Sequence, residues 1–375
     1  MAPLNDLQQQ LLASLGVVSG TVSLIGSVIL IRMALMAQRR KATYNRLLIG
    51  LSFMDIVHAV SWGLQPILIP KSDDRVWSLG NKQTCTVAGF FVQLGSSVFL
   101  YNGALTMYFL VTIVFGVSEK KATQYAEPWL HGVPIGYPLI TAIVGACIGL
   151  YSSLQLGSLC WIGEYPQGCE DDEETECIST ILAWIYTGVP AMGTLIFLVV
   201  ANIVIYLKVR KTMGRTRRFS MSSTNSATRH RADKQVAVQS TLYVMACIMT
   251  LVWSVMLRTL ESMGVHRENE SDVILLLFLG QFFYPLQGFW NFLIYLRPRY
   301  LRWRRREPEQ PRWWCFRQAL NPDAMMNFST MSGAGASASL GGSSPRERPT
   351  SLHLSRKSHS DDGEETAVSP FGQFG

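Results

Sequence analysis

The feature that most constrains this chain is a series of seven apolar stretches, each long enough to cross a bilayer as a helix. A helix needs ~20 mostly apolar residues to span ~30 Å of hydrocarbon. Hydrophobic residues make up 48% of the chain and charged residues 16%, below the ~25% typical of soluble domains. The stretches cover residues 12–36, 47–69, 86–115, 132–152, 180–207, 236–260 and 273–296. Because lipid offers no partner to exposed backbone groups, we predict an all-α membrane protein, a seven-transmembrane helix bundle.

Charge is distributed unequally between the two predicted sides of the membrane. The connections after the first, third, fifth and seventh stretches are basic, most strongly at 208–235 and 297–306. Residues 1–11 and 153–179 contain no Lys or Arg, and the second of these segments has an acidic run at 170–174. The positive-inside rule therefore predicts an outer N-terminus and a cytoplasmic C-terminus, as an odd number of spans requires. We expect a multi-pass protein of the plasma membrane, and the basic excess does not indicate nucleic-acid binding.

This layout divides the chain into four segments. Residues 1–11 are a short extracellular N-terminus, and residues 12–296 are the bundle. Residues 297–320 are an amphipathic interfacial segment that forms a short eighth helix, because arginines and tryptophans alternate there. Residues 321–375, rich in Gly, Ser and Pro, are predicted to be a disordered cytoplasmic tail. The first apolar stretch has no basic region before it, so no cleavable signal peptide is predicted.

Four cysteines fall on the predicted outer side, where oxidising conditions favour disulfides. Cys85 lies at the outer end of the third stretch, and Cys160, Cys169 and Cys177 lie in the following outer loop. Sequence does not choose among the three full pairings of four cysteines. We expect a bond between Cys85 and one of the three loop cysteines, which would hold the loop over the bundle.

Two cytoplasmic residues are candidate modification sites. Ser220 follows Arg217-Arg218-Phe219, a pattern that basophilic kinases accept, and phosphate there would add charge beside the membrane. The alternative is that this segment is only a solvated linker. Cys315 lies in Trp313-Trp314-Cys315-Phe316, which we expect to enter the membrane interface, so Cys315 is a palmitoylation candidate.

Polar side chains within the spans are costly in lipid, so each marks a candidate functional position. Asp55 in the second stretch and Asn291 in the seventh lie at similar distances from the cytoplasmic ends of their helices. We predict a buried hydrogen-bonded cluster of Asp55, Asn102, Asn291 and Tyr295 that holds water or a small cation and switches between two arrangements. The alternative is a static polar clasp between helices.

Several chemistries are not indicated by the sequence. No His cluster of metal-ligand spacing lies within the spans, so no metal is expected. The chain has no phosphate-binding glycine loop and no Gly-x-Ser-x-Gly nucleophile elbow. The seventh stretch contains no lysine that would form a retinal Schiff base. We identify no catalytic residues and expect neither a cofactor nor an enzyme.

The layout and several short motifs resemble a G-protein-coupled receptor. Leu51–Asp55 resembles the LxxxD of the receptor second helix, whose aspartate binds sodium and water in many relatives. Asn291–Tyr295 resembles the NPxxY switch, with Phe292 in place of proline. Cys160-Trp161-Ile162 and Gln287-Gly288-Phe289 are most similar to the cyclic-AMP-receptor-like group of protists, plants and fungi. The inner end of the third stretch, Met107–Val111, contains no Asp/Glu-Arg-Tyr.

The resemblance implies a receptor that binds an extracellular ligand and activates a heterotrimeric G protein, with cyclic-AMP-linked signalling as one expectation. The candidate ligand-binding residues in the outer halves of the spans are Trp62, Gln65, Gln93 and Gln281. Activation would open the fifth and sixth helices toward the cytoplasm. The alternative function is a seven-helix proton- or cation-coupled transporter or channel that uses Asp55. Against it, we find no internal repeat between the first and last three spans.

Overall fold

A computed structural model describes residues 5–36, 42–73, 75–154, 159–163, 165–166, 169, 178–219, 224–262 and 273–321. Helix α1 spans Asp6–Leu35, α2 spans Thr43–Leu68, α3 spans Lys82–Val114 and α4 spans Glu119–Cys147. A hairpin of β1 (Tyr151–Ser153) and β2 (Cys160–Ile162) follows. Helix α5 begins as Ser179–Ala183, passes through a π-helical turn at Trp184–Gly188 and continues as Val189–Phe219.

The second half of the bundle contains α6, α7 and α8. Helix α6 spans Thr224–Ser262. Helix α7 consists of Ile274–Phe283, a 3-10 turn at Tyr284–Leu286 and Gln287–Arg306. Helix α8 spans Arg312–Leu320. Pro285 lies in the 3-10 turn, and because proline lacks a backbone N–H it interrupts the α-helical hydrogen bonding there.

Six helices in the described part of the chain are long and apolar enough to cross a membrane. They are α1 to α6, and they confirm the predicted all-α membrane helix bundle. The seventh predicted span, at 273–296, is helical as well. Its turn at Tyr284–Leu286 divides it, so that neither part alone is a bilayer-length apolar helix.

Several helix ends differ from the predicted segment boundaries, and local signals explain where they lie. Helix α1 begins at Asp6, inside the predicted N-terminal segment 1–11, because Asn5 and Gln8 form a reciprocal capping box. Helix α7 continues through Arg306, so residues 297–306 of the predicted segment 297–320 extend the seventh helix without a break. The helix ends before Pro308, which disfavours the helical conformation of Glu307. Much of the 208–235 connection is helical in α5 and α6.

Helix α1 packs closely against α2 and α7 through small residues. A Cβ atom on Gly20 would lie 2.8 Å from the Ala59 carbonyl oxygen of α2, and one on Gly26 would lie 3.1 Å from Phe289 Cα of α7. Such close backbone approach is typical of membrane helices. In lipid the hydrophobic effect does not drive helices together, so they associate through the close van der Waals packing that small side chains allow. This packing brings α1, α2 and α7 together around Asp55.

The β-hairpin lies against the N-terminal end of α3. Cys85 of α3 forms a disulfide with Cys160 of β2, with the Cα atoms 5.2 Å apart. The expected bond between Cys85 and the outer loop is therefore present, and Cys160 is the partner. Cys169 is also disulfide-bonded. Cys177 lies outside the described residues, as do Ser220 and residues 322–375 of the predicted tail.

Candidate functional site

A chain of side-chain hydrogen bonds crosses the bundle interior from α6 through α7 to α2. Thr250 Oγ1 donates to Gln287 Oε1 at 2.6 Å, and Gln287 Nε2 donates to Asn291 Oδ1 at 3.2 Å. Asn291 Nδ2 then donates to Asp55 Oδ2 at 2.9 Å. All four side chains are buried. Each donor points toward Asp55, so the chain ends on its carboxylate.

The turn in α7 and a glycine place this chain against α1. Below the turn, the backbone N–H of Gly288 donates to Ser23 Oγ of α1 at 3.0 Å. A Cβ atom at position 288 would overlap Ser27 Oγ and lie 3.1 Å from Asp55 Cβ. Glycine is therefore required at this position for α7 to approach both α1 and Asp55. Asp55 Oδ1 and Ser27 Oγ have no hydrogen-bond partner among the described atoms, which leaves acceptor capacity at the carboxylate.

Asn102 of α3 lies near this chain but does not join it, contrary to prediction. Its Nδ2 donates to the Val98 carbonyl of its own helix at 2.9 Å, and its Oδ1 has no partner in the described structure. Asn102 instead lines a small interior cavity between α2, α3, α6 and α7. The other lining residues are His58, Gly95, Val98, Phe99, Cys247, Thr250, Leu251, Tyr284 and Gln287.

Tyr295 is also outside the Asp55 chain. Its hydroxyl accepts a hydrogen bond from Arg299 Nη2 at 3.1 Å, and the guanidinium carbon lies 5.0 Å from the ring centroid. Arg299 also donates to the Met33 carbonyl near the end of α1. Tyr295 lies one helical turn below Asn291, so its hydroxyl bonds Arg299 and does not reach the Asp55 level. The predicted pairing of Asp55 with Asn291 is present, and those of Asp55 with Asn102 and Tyr295 are absent.

The four candidate ligand-binding residues do not converge on one pocket. The Trp62 ring packs on Tyr284 with centroids 5.0 Å apart. Gln65 Oε1 accepts from the backbone N–H of Cys160 at 2.8 Å. The Gln281 amide lies against α1, where a Cβ atom on Gly16 would be 3.2 Å from Nε2. Each of these three side chains therefore contacts a different part of the protein.

Gln93 is occupied by the outer hairpin and by α4 and α5. Its Oε1 accepts from Trp161 Nε1 at 3.0 Å and from Thr187 Oγ1 at 3.1 Å. Its Nε2 donates to Thr141 Oγ1 at 2.9 Å and to the Tyr186 carbonyl at 3.3 Å. All the hydrogen-bonding groups of the amide are thus used within the protein. A ligand that contacts Gln93 must first displace Trp161 or one of these helix contacts.

The sequence interpretation missed two polar contacts between helices. Thr250 is the start of the hydrogen-bond chain, yet a single threonine in an apolar span gives no distinguishing signal. On the opposite side of the bundle from the hairpin, Arg46 of α2 pairs with Glu127 of α4, and Thr43 Oγ1 donates to Glu127 Oε2 at 3.1 Å. The sequence contains both charged residues. Because both lie just outside the predicted spans, it gave no reason to pair them.

The modification candidate Cys315 is placed differently from expectation. Its side chain is fully buried, whereas Trp313 and Phe316 of the same helix are exposed. The thiol faces the protein because α8 packs on α7, with the Trp303 and Trp314 rings 5.8 Å apart. In the part of the chain that the structure describes, no group of three or more His, Cys, Asp or Glu side chains could hold a metal ion.

No protein-family model and no curated protein sequence matches this chain. Among solved structures, it is similar to squid rhodopsin, with a TM-score of 0.56 and 15% sequence identity. The match covers 79% of this chain and 83% of the squid protein. At this identity the similarity establishes the fold alone. The chain is therefore an all-α membrane protein with a helix-bundle fold similar to that of squid rhodopsin.

Proposed function

We propose that this protein is a cell-surface G-protein-coupled receptor that binds an extracellular ligand and activates a heterotrimeric G protein. The observation that carries the proposal is the buried chain Thr250–Gln287–Asn291–Asp55, which joins α6, α7 and α2 within a rhodopsin-like fold. Such a network has two satisfied arrangements when one helix shifts, because each amide can exchange its partners. It therefore suits a protein that changes the position of α6.

The orientation in the membrane is part of this proposal. We place the disulfide-bonded hairpin and the N-terminus outside, because the oxidising side favours the Cys85–Cys160 bond. The basic residues that follow α1 and those in the last turns of α5 and α7 then lie in the cytoplasm. The long α5 and α6 extend the bundle on that side, where they would contact the G protein.

The ligand would enter from the hairpin side. Trp62, Gln65, Gln93 and Gln281 remain the proposed contacts, and the hairpin must move for a ligand to reach Gln93, which now bonds Trp161. A ligand that competes for Gln93 would release Trp161 and thus act on α3. The relation to the cyclic-AMP-receptor-like group, and any link to cyclic AMP, rests on Cys160-Trp161-Ile162 and Gln287-Gly288-Phe289.

Two proposed regulatory sites lie on the cytoplasmic side. Phosphorylation of Ser220 would add negative charge to a basic connection. Palmitoylation of Cys315 would require α8 to move away from α7, because the thiol is fully buried.

The deciding experiment compares nucleotide exchange with ion flux. The full chain is reconstituted in liposomes with each main subtype of heterotrimeric G protein, and exchange is measured alongside proton and sodium flux. A receptor accelerates exchange on at least one subtype and carries no flux. Flux that Asp55→Asn abolishes, without exchange on any subtype, would establish the alternative of a cation-coupled transporter or channel.

A further inference from the structure

A second polar contact joins α2 and α6 at the end of the bundle opposite the hairpin, called the inner end here. Gln239 Nε2 donates to Tyr44 OH at 2.7 Å, and Tyr44 OH lies 3.4 Å from Tyr243 OH. All three side chains are buried. Tyr44 is in the first turn of α2, and Gln239 and Tyr243 are one turn apart on α6. The contact therefore connects helices that are distant in sequence.

Helix α6 has a different contact on its other side. Thr241 Oγ1 donates to Asn202 Oδ1 of α5 at 3.3 Å. Residues 239 and 243 face α2, whereas residue 241, about 200° further around the helix, faces α5. If α6 moved away from α2 together with α5, the Asn202 contact would be kept. The contacts of Tyr44 with Gln239 and Tyr243 would break.

The inner end of α3 provides no charged group that could hold α6 in place. Met107–Val111 contains no Asp, Glu or Arg, and Tyr108 OH is buried without a hydrogen-bond partner in the described structure. The Tyr44 ring lies 5.7 Å from Phe109 of α3, so α3 supports Tyr44 by packing. The polar contact between α2 and α6 is thus made entirely by neutral groups.

We propose that Tyr44, Gln239 and Tyr243 form a neutral inner lock that keeps α6 against α2 and must open before a G protein can enter. The inference rests on the proposed receptor function, to which it adds the regulation of the inner face. The three polar groups are satisfied by one another in the closed state, and water satisfies them when α6 moves out. The lock therefore biases the equilibrium without preventing opening.

The test removes one hydroxyl group at a time. Tyr44→Phe keeps the ring that packs on Phe109 and removes the oxygen shared by both hydrogen bonds. Loss of a neutral hydrogen bond shifts such an equilibrium about fivefold, so ligand-independent nucleotide exchange should rise by about that factor. Gln239→Met should have a similar effect. Tyr243→Phe should have a smaller one, because its contact at 3.4 Å is longer.

Helix position is measured separately from G-protein activity. Spin labels are attached at Met36→Cys of α1 and Met245→Cys of α6, both exposed, in a background where the exposed Cys147 is replaced by alanine. Tyr44→Phe and Gln239→Met should add a population with a longer distance between the labels. The matched control is Thr241→Val, which removes a hydrogen bond to α5 from the same region of α6 and should leave the distance unchanged.

The outcomes separate the two proposals. If no variant stimulates exchange but Tyr44→Phe lengthens the distance, the lock is supported and the receptor function is not. If Tyr44→Phe and Gln239→Met both fold with a wild-type melting profile and leave the distance unchanged, the lock is wrong while the receptor function stands. An equal shift in Thr241→Val would also overturn the lock, because α6 would then respond to the loss of any contact.

Discussion

Asp55 accepts a hydrogen bond from Asn291 at one oxygen, and its other oxygen has no partner in the described structure. A buried carboxylate depends strongly on its few donors, because its desolvation is unfavourable. We predict that Asn291→Leu lowers the free energy of unfolding by about 2 kcal/mol or more. Thermal melting in lipid nanodiscs measures the loss. Asn102→Leu is the control and should lose less, because among the described residues Asn102 bonds the Val98 carbonyl of its own helix. Equal losses would mean that the hydrogen bond between Asn291 and Asp55 does not contribute more to the free energy of unfolding than the Asn102 contact does.

Gly288 provides a steric prediction at the same scale. A methyl group there would overlap Ser27 Oγ and crowd Asp55, and overpacking of this kind costs about 1–3 kcal/mol. Gly288→Ala should therefore lower the melting temperature clearly. Gly63→Ala in α2 is the matched control, since a Cβ atom there meets nothing within 4 Å. If the two variants melt alike, α7 does not approach α1 and Asp55 as closely as described.

At the scale of helices and strands, apolar length predicted the helices themselves, while local side chains decided their ends. The capping box at Asn5 and Gln8 moved the start of α1, and Pro308 set the end of α7. The pairing of Asp55 with Asn291 could be predicted because the two residues lie at similar distances from the cytoplasmic ends of their helices. The positions of Asn102 and Tyr295 could not, because they depend on how each helix is rotated. In α7 that rotation also depends on the turn at Tyr284–Leu286, which apolar length alone does not reveal.

The hairpin is an element whose position depends on a covalent bond. The Cys85–Cys160 disulfide closes a sequence separation of 75 residues. Loop-closure entropy for a bond of this span amounts to about 4 kcal/mol, which is an upper figure because helices persist in the membrane. Replacing both cysteines with serine should lower the melting temperature and make Trp161 fluorescence more solvent-sensitive. Cys147→Ser, which removes a free thiol, should do neither. An unchanged melting temperature in the double variant would show that noncovalent contacts alone hold the hairpin.

At the scale of the whole molecule, two polar contacts hold α6 at different depths. The chain from Thr250 to Asp55 lies in the interior, and the lock of Tyr44, Gln239 and Tyr243 closes the inner end. Both connect α6 to α2, the first through α7 and the second directly. A movement of α6 therefore has to change both contacts. A change at the interior chain would therefore reach the inner end of the bundle through the movement of α6.

The central claim is that the interior chain acts as one unit in controlling α6, and a double-mutant cycle between its two ends tests this most directly. Within the described residues, hydrogen bonds connect Thr250 to Asp55 through Gln287 and Asn291. The measurement is basal nucleotide exchange on the coupled G protein for Thr250→Val, Asp55→Asn and the double variant. Thr194→Val serves as the control, because in the described structure the Thr194 hydroxyl bonds the Pro190 carbonyl of its own helix. We predict that each single variant changes exchange and that the double variant equals the larger single effect. Effects that multiply independently, or single variants no different from Thr194→Val, would contradict the account.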